Sequence, residues 1–160
     1  MNLSARQFQQ PDFVEELRAI LLETGLAPSR LTLELTENMV IEDSQPTHAM
    51  LRVLKALGVQ LAIDDFGTGQ SWLFYFMKRY PVDYVKIDRS FIEHIDENQV
   101  ETRIVSGIID LCHALGIKVI AEGIESARQF AALRDLGADF GQGYYFTEPL
   151  APGETGGIDV

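Results

Sequence analysis

The sequence predicts an α/β protein of the (β/α)8-barrel type that is incomplete in strand number, and three observations carry that prediction. Short apolar or β-branched runs alternate with helical patterns along the chain. Each helical pattern stops at a Gly or a Pro. The runs close in charge, at Glu34, at Asp64-Asp65, at Asp88 and at Glu122. Alternation of this kind demands parallel strands with right-handed crossovers, which leaves an open doubly wound sheet or a barrel. An open sheet offers one main crevice, whereas a barrel gathers all its C-terminal strand ends on one rim. Polar residues at the ends of four different strands therefore favour the barrel.

Asn2-Leu3-Ser4 reads as the stub of a strand. A first helix is predicted from about Asp12 to Thr24. Asp12 and Glu15 stand at capping-box spacing, Phe13, Leu17, Ile20 and Leu21 share a face, and Gly25 ends it. A strand at 31–36 follows. The next helix begins behind Ser44 and Pro46, turns Met50, Leu54 and Leu57 inward, and stops at Gly58 before a strand at 59–64. A helix at about 70–79 precedes Pro81 and a strand at 84–88. A long helix from about Asn98 to Leu115 turns on Gly116 into a strand at 117–122, and a helix at 126–136 turns on Gly137 into a strand at 139–146. At most six strands result. Such barrels typically take about 250 residues, so 160 residues are expected to supply only part of one. Residues 1–150 are expected to form a single partial domain and 151–160 an irregular tail.

A formal net charge of −11 and a pI near 4.6 offer no basic field for a nucleic-acid polymer or an anionic membrane. A phosphate-bearing substrate would need metal ions to supply positive charge. The single cysteine, Cys112, lies in a helical pattern and predicts a buried, inert thiol in a reducing compartment, by default the cytoplasm. Met1 to Arg6 is not an apolar signal segment, and no run approaches the ~18 apolar residues of a membrane span. A parent protein could still be anchored elsewhere.

The pair Asp64-Asp65 closes the apolar run Leu61-Ala62-Ile63 and precedes Phe66-Gly67-Thr68-Gly69. Adjacent carboxylates repel each other and are costly at an apolar strand end, so they are most simply explained as facing a cation. The competing reading is a strand-end turn with Asx hydrogen bonds. Glu34 and Glu122 compete with solvated strand ends, and Lys86 with a snorkelling barrel residue. Glu15, Glu16, Glu93, Asp96, Glu97 and Glu101 read as solvated surface groups. His48, His94 and His113 share no ligand spacing and read as structural or exposed. Oxygen donors without a His or Cys cluster select hard cations. The stretch Trp72 to Met77 reads as core on one face, with a dimer surface as the alternative for its remainder.

These residues also carry a resemblance. Asn2 to Phe8, Glu34-Leu35-Thr36-Glu37, Asp64 to Gly69, Pro81-Val82-Asp83, Val85 to Phe91, Ala121 to Glu125 and Gly141-Gln142-Gly143-Tyr144 occur in the order of the EAL domain family, which the chain resembles over residues 1 to about 150. The resemblance implies a TIM-barrel-like phosphodiesterase that linearises the bacterial second messenger cyclic di-GMP to pGpG with two Mg²⁺ or Mn²⁺ ions. It implies Asn2, Glu34 and Asp64 as ligands of one ion, and Asp64, Asp65 and Glu122 at the second. It implies that Lys86 contacts the nucleophilic water and the phosphate region, beside Glu122 and Asp65 in the catalytic group. Glu125 and Gln142 match a substrate and water network, and Glu37 an anchor for the loop after Asp65. Two such ions can clamp the attacking and leaving oxygens of an in-line displacement, and a lysine adds positive charge where negative charge develops.

The sequence lacks the Glu-Ala-Leu motif that names the family and the arginine that follows it. One metal ligand and part of the substrate pocket are therefore expected to come from outside this chain. Met1 stands where the family usually has a valine, which suggests an internal start; upstream genomic sequence without an in-frame Glu-Ala-Leu motif would count against that. The alternative function is a non-catalytic remnant that binds cyclic di-GMP or a partner protein. Gln70, Trp72 and a longer segment from Phe74 to Arg79 depart from the family pattern near a loop that couples metal binding to dimer contacts, which bears on regulation. An opened barrel with two bare strand edges is expected to be poorly stable or to self-associate, as a homodimer or otherwise.

Overall fold

The computed structural model describes residues 1–8, 10–36, 45–67 and 81–148. Within these, α1 is Ala5–Phe8, α2 Phe13–Thr24, β1 Thr32–Thr36, α3 Gln45–Leu57 and β2 Gln60–Phe66. Then follow β3 Tyr84–Ile87, α4 Gln99–Ala114, β4 Lys118–Ala121, α5 Ala127–Asp135 and β5 Phe140–Gly141. Glu37, Gln70, Trp72, the helix expected at 70–79 and the tail at 151–160 lie outside the described residues.

The sheet runs β1-β2-β3-β4-β5 with every pairing parallel. Asn2 extends it by one parallel bridge to Glu34, where Leu3 N–H donates to Glu34 O and Glu34 N–H to Met1 O, both at 2.9 Å. The strand order never reverses, so the doubly wound alternative is excluded. Right-handed crossovers in one direction put all the connecting helices on one face, which is the geometry of a barrel wall.

Side-chain alternation divides the two faces. Leu33, Leu35, Leu61, Ile63, Val85, Ile87, Val119 and Ala121 are fully buried. They join Leu17 and Leu21 of α2, Leu51 and Leu54 of α3, and Val105, Ile109 and Cys112 of α4 in one apolar cluster. The intervening positions turn the other way and carry Glu34, Asp64 and Lys86. Burial together with the Asp139 charge pushes the Cys112 thiol up to about 12, so it stays protonated at neutral pH. Among the described residues no helix is long and apolar enough to cross a membrane.

Several local expectations are corrected. The Asp12 side chain makes no capping hydrogen bond. The capping box occurs instead at α5, where Ser126 Oγ accepts from Gln129 N–H at 3.2 Å and Gln129 Oε1 accepts from Ser126 N–H at 3.0 Å. Ile20 is 55% exposed, because the buried stripe of α2 is Phe13, Val14, Leu17 and Leu21. At about 100° per residue, Ile20 falls just past the edge of that stripe. Leu51, not singled out from the sequence, is buried beside Leu54, whereas Met50 and Leu57 are only partly buried. The last strand is two residues long, not eight. A Cβ on Gly143 would lie 2.1 Å from Ile124 O, so the chain there presses against the Ile124 backbone and turns at Tyr144 to Phe146 instead of extending. Glu101 is half-buried and accepts from Asn98 Nδ2 at 2.9 Å, while His48 is buried and His94 and His113 are exposed.

Asp88 ends β3 and organises the turn at Arg89–Phe91, accepting from Ser90 Oγ at 2.5 Å and Ser90 N–H at 3.0 Å. The Ser90 hydroxyl bond holds its carboxyl below the ordinary range, against the opposing effect of burial. A depressed folded-state value stabilises the fold above the ordinary carboxylate range and loses that contribution as pH falls through the folded value. Ser90→Ala is therefore expected to be less stable than wild type at neutral pH, with the gap closing below about pH 4 in urea titrations. For the core, Leu35→Ala is expected to cost about 2–5 kcal/mol, whereas Leu22→Ala, at a position 78% exposed, should stay within about 0.5 kcal/mol in the same assay.

Candidate metal centre

The centre begins with a defect in the pairing of β2 with β3. Ile63 pairs with Val85 and Phe66 with Ile87, so Asp64 and Asp65 together stand opposite Lys86 alone. This is a β-bulge, which breaks the side-chain alternation that would otherwise send consecutive residues to opposite faces. Asp65 takes φ 56, the only positive φ at a non-glycine residue among the described residues. Asp tolerates this left-handed conformation better than most side chains. Asp64 Oδ1 accepts Asp65 N–H at 3.1 Å within this turn, a bond to the next residue and not the two-residue span of an Asx turn. The same turn also brings both carboxylates to the site.

Three other strands complete the centre. Lys86 Nζ lies 2.7 Å from Glu122 Oε1, 3.0 Å from Asp64 Oδ1 and 3.1 Å from Glu34 Oε2, with Lys86 itself 4% exposed. Glu122 is held just beyond β4 by its N–H, which donates to Ile87 O at 3.1 Å. Asp64, Asp65 and Glu122 each offer a carboxylate oxygen, and the three oxygens lie within 4.8 Å of one another. At an effective dielectric of about 20, like charges at that spacing repel by about 3–4 kcal/mol per pair. With Glu34 there are four carboxylates around one ammonium, so the cluster carries more negative than positive formal charge.

The protonation pattern follows. Burial raises the Glu122 carboxyl, and the charges of Asp64 and Glu34 add to this against the pull of Lys86. Burial also raises Asp65, with the charges of Asp64 and Asp88 adding to it. For Lys86, burial favours the neutral amine, but its bonds to Glu122 and Asp64 outweigh burial and hold the ammonium above its ordinary range. In the metal-free site Lys86 is therefore an ammonium at neutral pH. An all-oxygen donor set with an excess of negative charge, opening at the strand ends, fits a hard divalent cation.

The remaining predicted residues sit around this nucleus. Glu34 reaches it through Lys86, and the backbone bridge of Asn2 to Glu34 places that residue alongside. Glu125 pairs with Arg89 Nη1 at 2.9 Å, both side chains being exposed. Gln142 is fixed by its backbone, donating to Ala121 O at 2.8 Å and accepting from Ile124 N–H at 3.1 Å, with its side chain exposed beside the Glu122 strand end. Glu37 lies outside the described residues. Sequence reasoning assigned no role to Arg89 or to Asp88. The signal available was their place directly after Lys86-Ile87, at the C-terminal end of a strand.

A wall of parallel strands with a carboxylate and lysine centre at its C-terminal rim defines an α/β protein of the barrel class, whose active sites lie at that face. The EAL domain family model matches residues 1–149, and the chain belongs to that family. It is 41% identical over 150 residues to the bifunctional diguanylate cyclase/cyclic di-GMP phosphodiesterase MucR of Pseudomonas aeruginosa, covering 94% of this chain and 22% of MucR. Among solved structures, the EAL enzyme Bd1971 in its cAMP- and cyclic-di-GMP-bound form superposes with a TM-score of 0.88 at 41% identity, over 93% of this chain and 39% of that one. Klebsiella pneumoniae BlrP1 in a manganese/cyclic-di-GMP complex gives 0.83 at 33% identity, over 93% of this chain and 38% of that one. The chain spans about a fifth of the length of the curated relatives it matches.

Lys86→Met would leave Glu34, Asp64 and Glu122 without their shared ammonium. In chelator it is expected to cost about 3–5 kcal/mol of stability. Added Mn²⁺ should restore more stability to the variant than to wild type, read as the difference in thermal midpoint with and without the ion.

Proposed function

We propose that this chain is the metal-binding part of a cyclic di-GMP phosphodiesterase that opens its substrate to linear pGpG with two Mg²⁺ or Mn²⁺ ions. The observation that carries the reading is the convergence of Asp64, Asp65 and Glu122 beside the buried ammonium of Lys86. Kinship with a protein named as a cyclic di-GMP phosphodiesterase, and with one solved with manganese and cyclic di-GMP, supports the substrate and the class of ion.

In this reading Asn2, Glu34 and Asp64 would hold one ion, and Asp64, Asp65 and Glu122 the second. Bound ions of this kind make water more acidic and stabilise the leaving oxygen of a phosphodiester. In this reading the part of Lys86 is to orient water and, as an ammonium, to offset charge growing on the phosphate. Asp64 and Glu122 fix the ammonium for that task, and Asp65 adds the third carboxylate of the trio. Glu125 and Gln142 line the substrate and its water network, and Glu37 anchors the loop after Asp65. A net charge of −11 disfavours approach of a dianionic nucleotide overall, so cations and Lys86 would have to offset it at the site. We place the protein in the cytoplasm, with self-association through the open sheet edges, which sedimentation would detect as a mass above one chain.

The test is hydrolysis of cyclic di-GMP by the full chain in Mg²⁺ or Mn²⁺, beside Asp64→Asn. Turnover that falls at least about 100-fold in the variant supports the reading. Binding of the nucleotide without turnover in either protein would assign the chain instead to the non-catalytic alternative.

A further inference from the structure

The lower ends of β2 and β4 are built alike. Asp83, directly before β3, accepts Leu61 N–H through Oδ2 at 2.8 Å and returns its own N–H to Leu61 O at 2.9 Å. Lys55, near the end of α3, closes on the same carboxylate oxygen at 2.6 Å. Asp139, directly before β5, accepts Val119 N–H through Oδ2 at 2.8 Å and returns its N–H to Val119 O at 3.1 Å. His113, near the end of α4, closes on that oxygen at 2.8 Å.

The sequence repeats with the geometry. Lys55-Ala56-Leu57-Gly58-Val59-Gln60-Leu61 recurs as His113-Ala114-Leu115-Gly116-Ile117-Lys118-Val119, and the same offset carries Asp64 onto Glu122. Above each clasp, the centre lies equally far up the strands. Leu61 precedes Asp64, Asp83 precedes Lys86, Val119 precedes Glu122 and Asp139 precedes Gln142, each by three residues, which is about 10 Å of strand.

This matters because apolar patterning underdetermines the register. A slip of one residue would turn the buried face outward and is costly. A slip of two would keep Leu61, Ile63, Val85, Ile87, Val119 and Ala121 facing the helices, yet carry Asp64 about 7 Å from its place opposite Lys86. β3 and β4 have four residues each and β5 two, so their ladders resist such a slip weakly. We propose that Asp83 and Asp139 are positioning residues, two copies of one register clasp that set Asp64 against Lys86 and Glu122 against Gln142.

The experiment compares Asp83→Ala, Asp139→Ala, His113→Lys and a core control, Leu17→Ala, in the full chain. Its first readout, the ¹⁵N resonances of the Lys86 ammonium and the Gln142 side-chain amide without metal, does not depend on the function proposed above. The second, the Mn²⁺ dissociation constant by calorimetry, rests on that reading. Asp83→Ala is expected to move the Lys86 resonance and weaken Mn²⁺ binding about tenfold or more, and Asp139→Ala to move the Gln142 resonance. Leu17→Ala should lower the thermal midpoint and move neither readout. His113→Lys remakes the second clasp with the cation of the first and should leave both at wild-type values. If the alanine variants lower only the midpoint, with the Lys86 and Gln142 resonances unmoved, the proposal is overturned. Wild type without Mn²⁺ binding would overturn the cation site while the Lys86 and Gln142 resonances still decide the clasp. Should an alanine variant fail to fold, Lys55→Met and His113→Gln weaken each clasp without removing its carboxylate and serve the same comparison.

Discussion

The buried ammonium of Lys86 is the contact on which this structure turns. It touches carboxylates from β1, β2 and the end of β4 while standing on β3 itself, so one side chain joins four neighbouring strands. Burying a charge in a small domain is expensive unless it is paired and hydrogen-bonded. Here the pairing is more than complete, and the surplus is negative. The fold thus builds its most costly electrostatic feature at the rim where a barrel gathers its strand ends, and leaves it short of positive charge.

What surrounds that contact divides by chemistry. The helix-facing side of the sheet is apolar and sealed, and it accounts for the folding of the chain. The opposite side carries the acidic and basic groups, and accounts for what the chain can bind. Because all the strands are parallel and in sequence order, every strand delivers its C-terminal end to the same rim. Chemistry spread from Glu34 to Gln142 in sequence becomes one neighbourhood in space.

The fold class was legible because it depends on signals local in the chain: apolar runs, helix stops at Gly, and charged strand ends. Glu34, Asp64 and Glu122 were legible for the same reason, as acidic residues closing apolar runs, whereas Lys86, inside its strand, was picked out through the family resemblance. Less was readable where the outcome depended on a partner. The spacing of Asp12 and Glu15 suggested a capping box, but the Asp12 side chain does not cap, and the box at Ser126 and Gln129 went unread. The length of the last strand depended on how closely Gly143 meets Ile124, a contact between distant segments. The bulge at Asp64-Asp65 exists only relative to the register of β3, so the adjacency of two aspartates hinted at shared purpose without showing how neighbouring strand residues could face one way.

That bulge separates two meanings of conservative substitution. Asp65 is constrained by charge through its neighbours and by backbone through its φ of 56. Asparagine keeps the conformation and removes the charge, and glycine keeps the conformation and removes the side chain. Glutamate keeps the charge but, with its longer side chain, is less at ease in the left-handed region. At this position the amide is the milder replacement for geometry and the second acid the harsher one, the reverse of the order that a charge-based similarity scale would give.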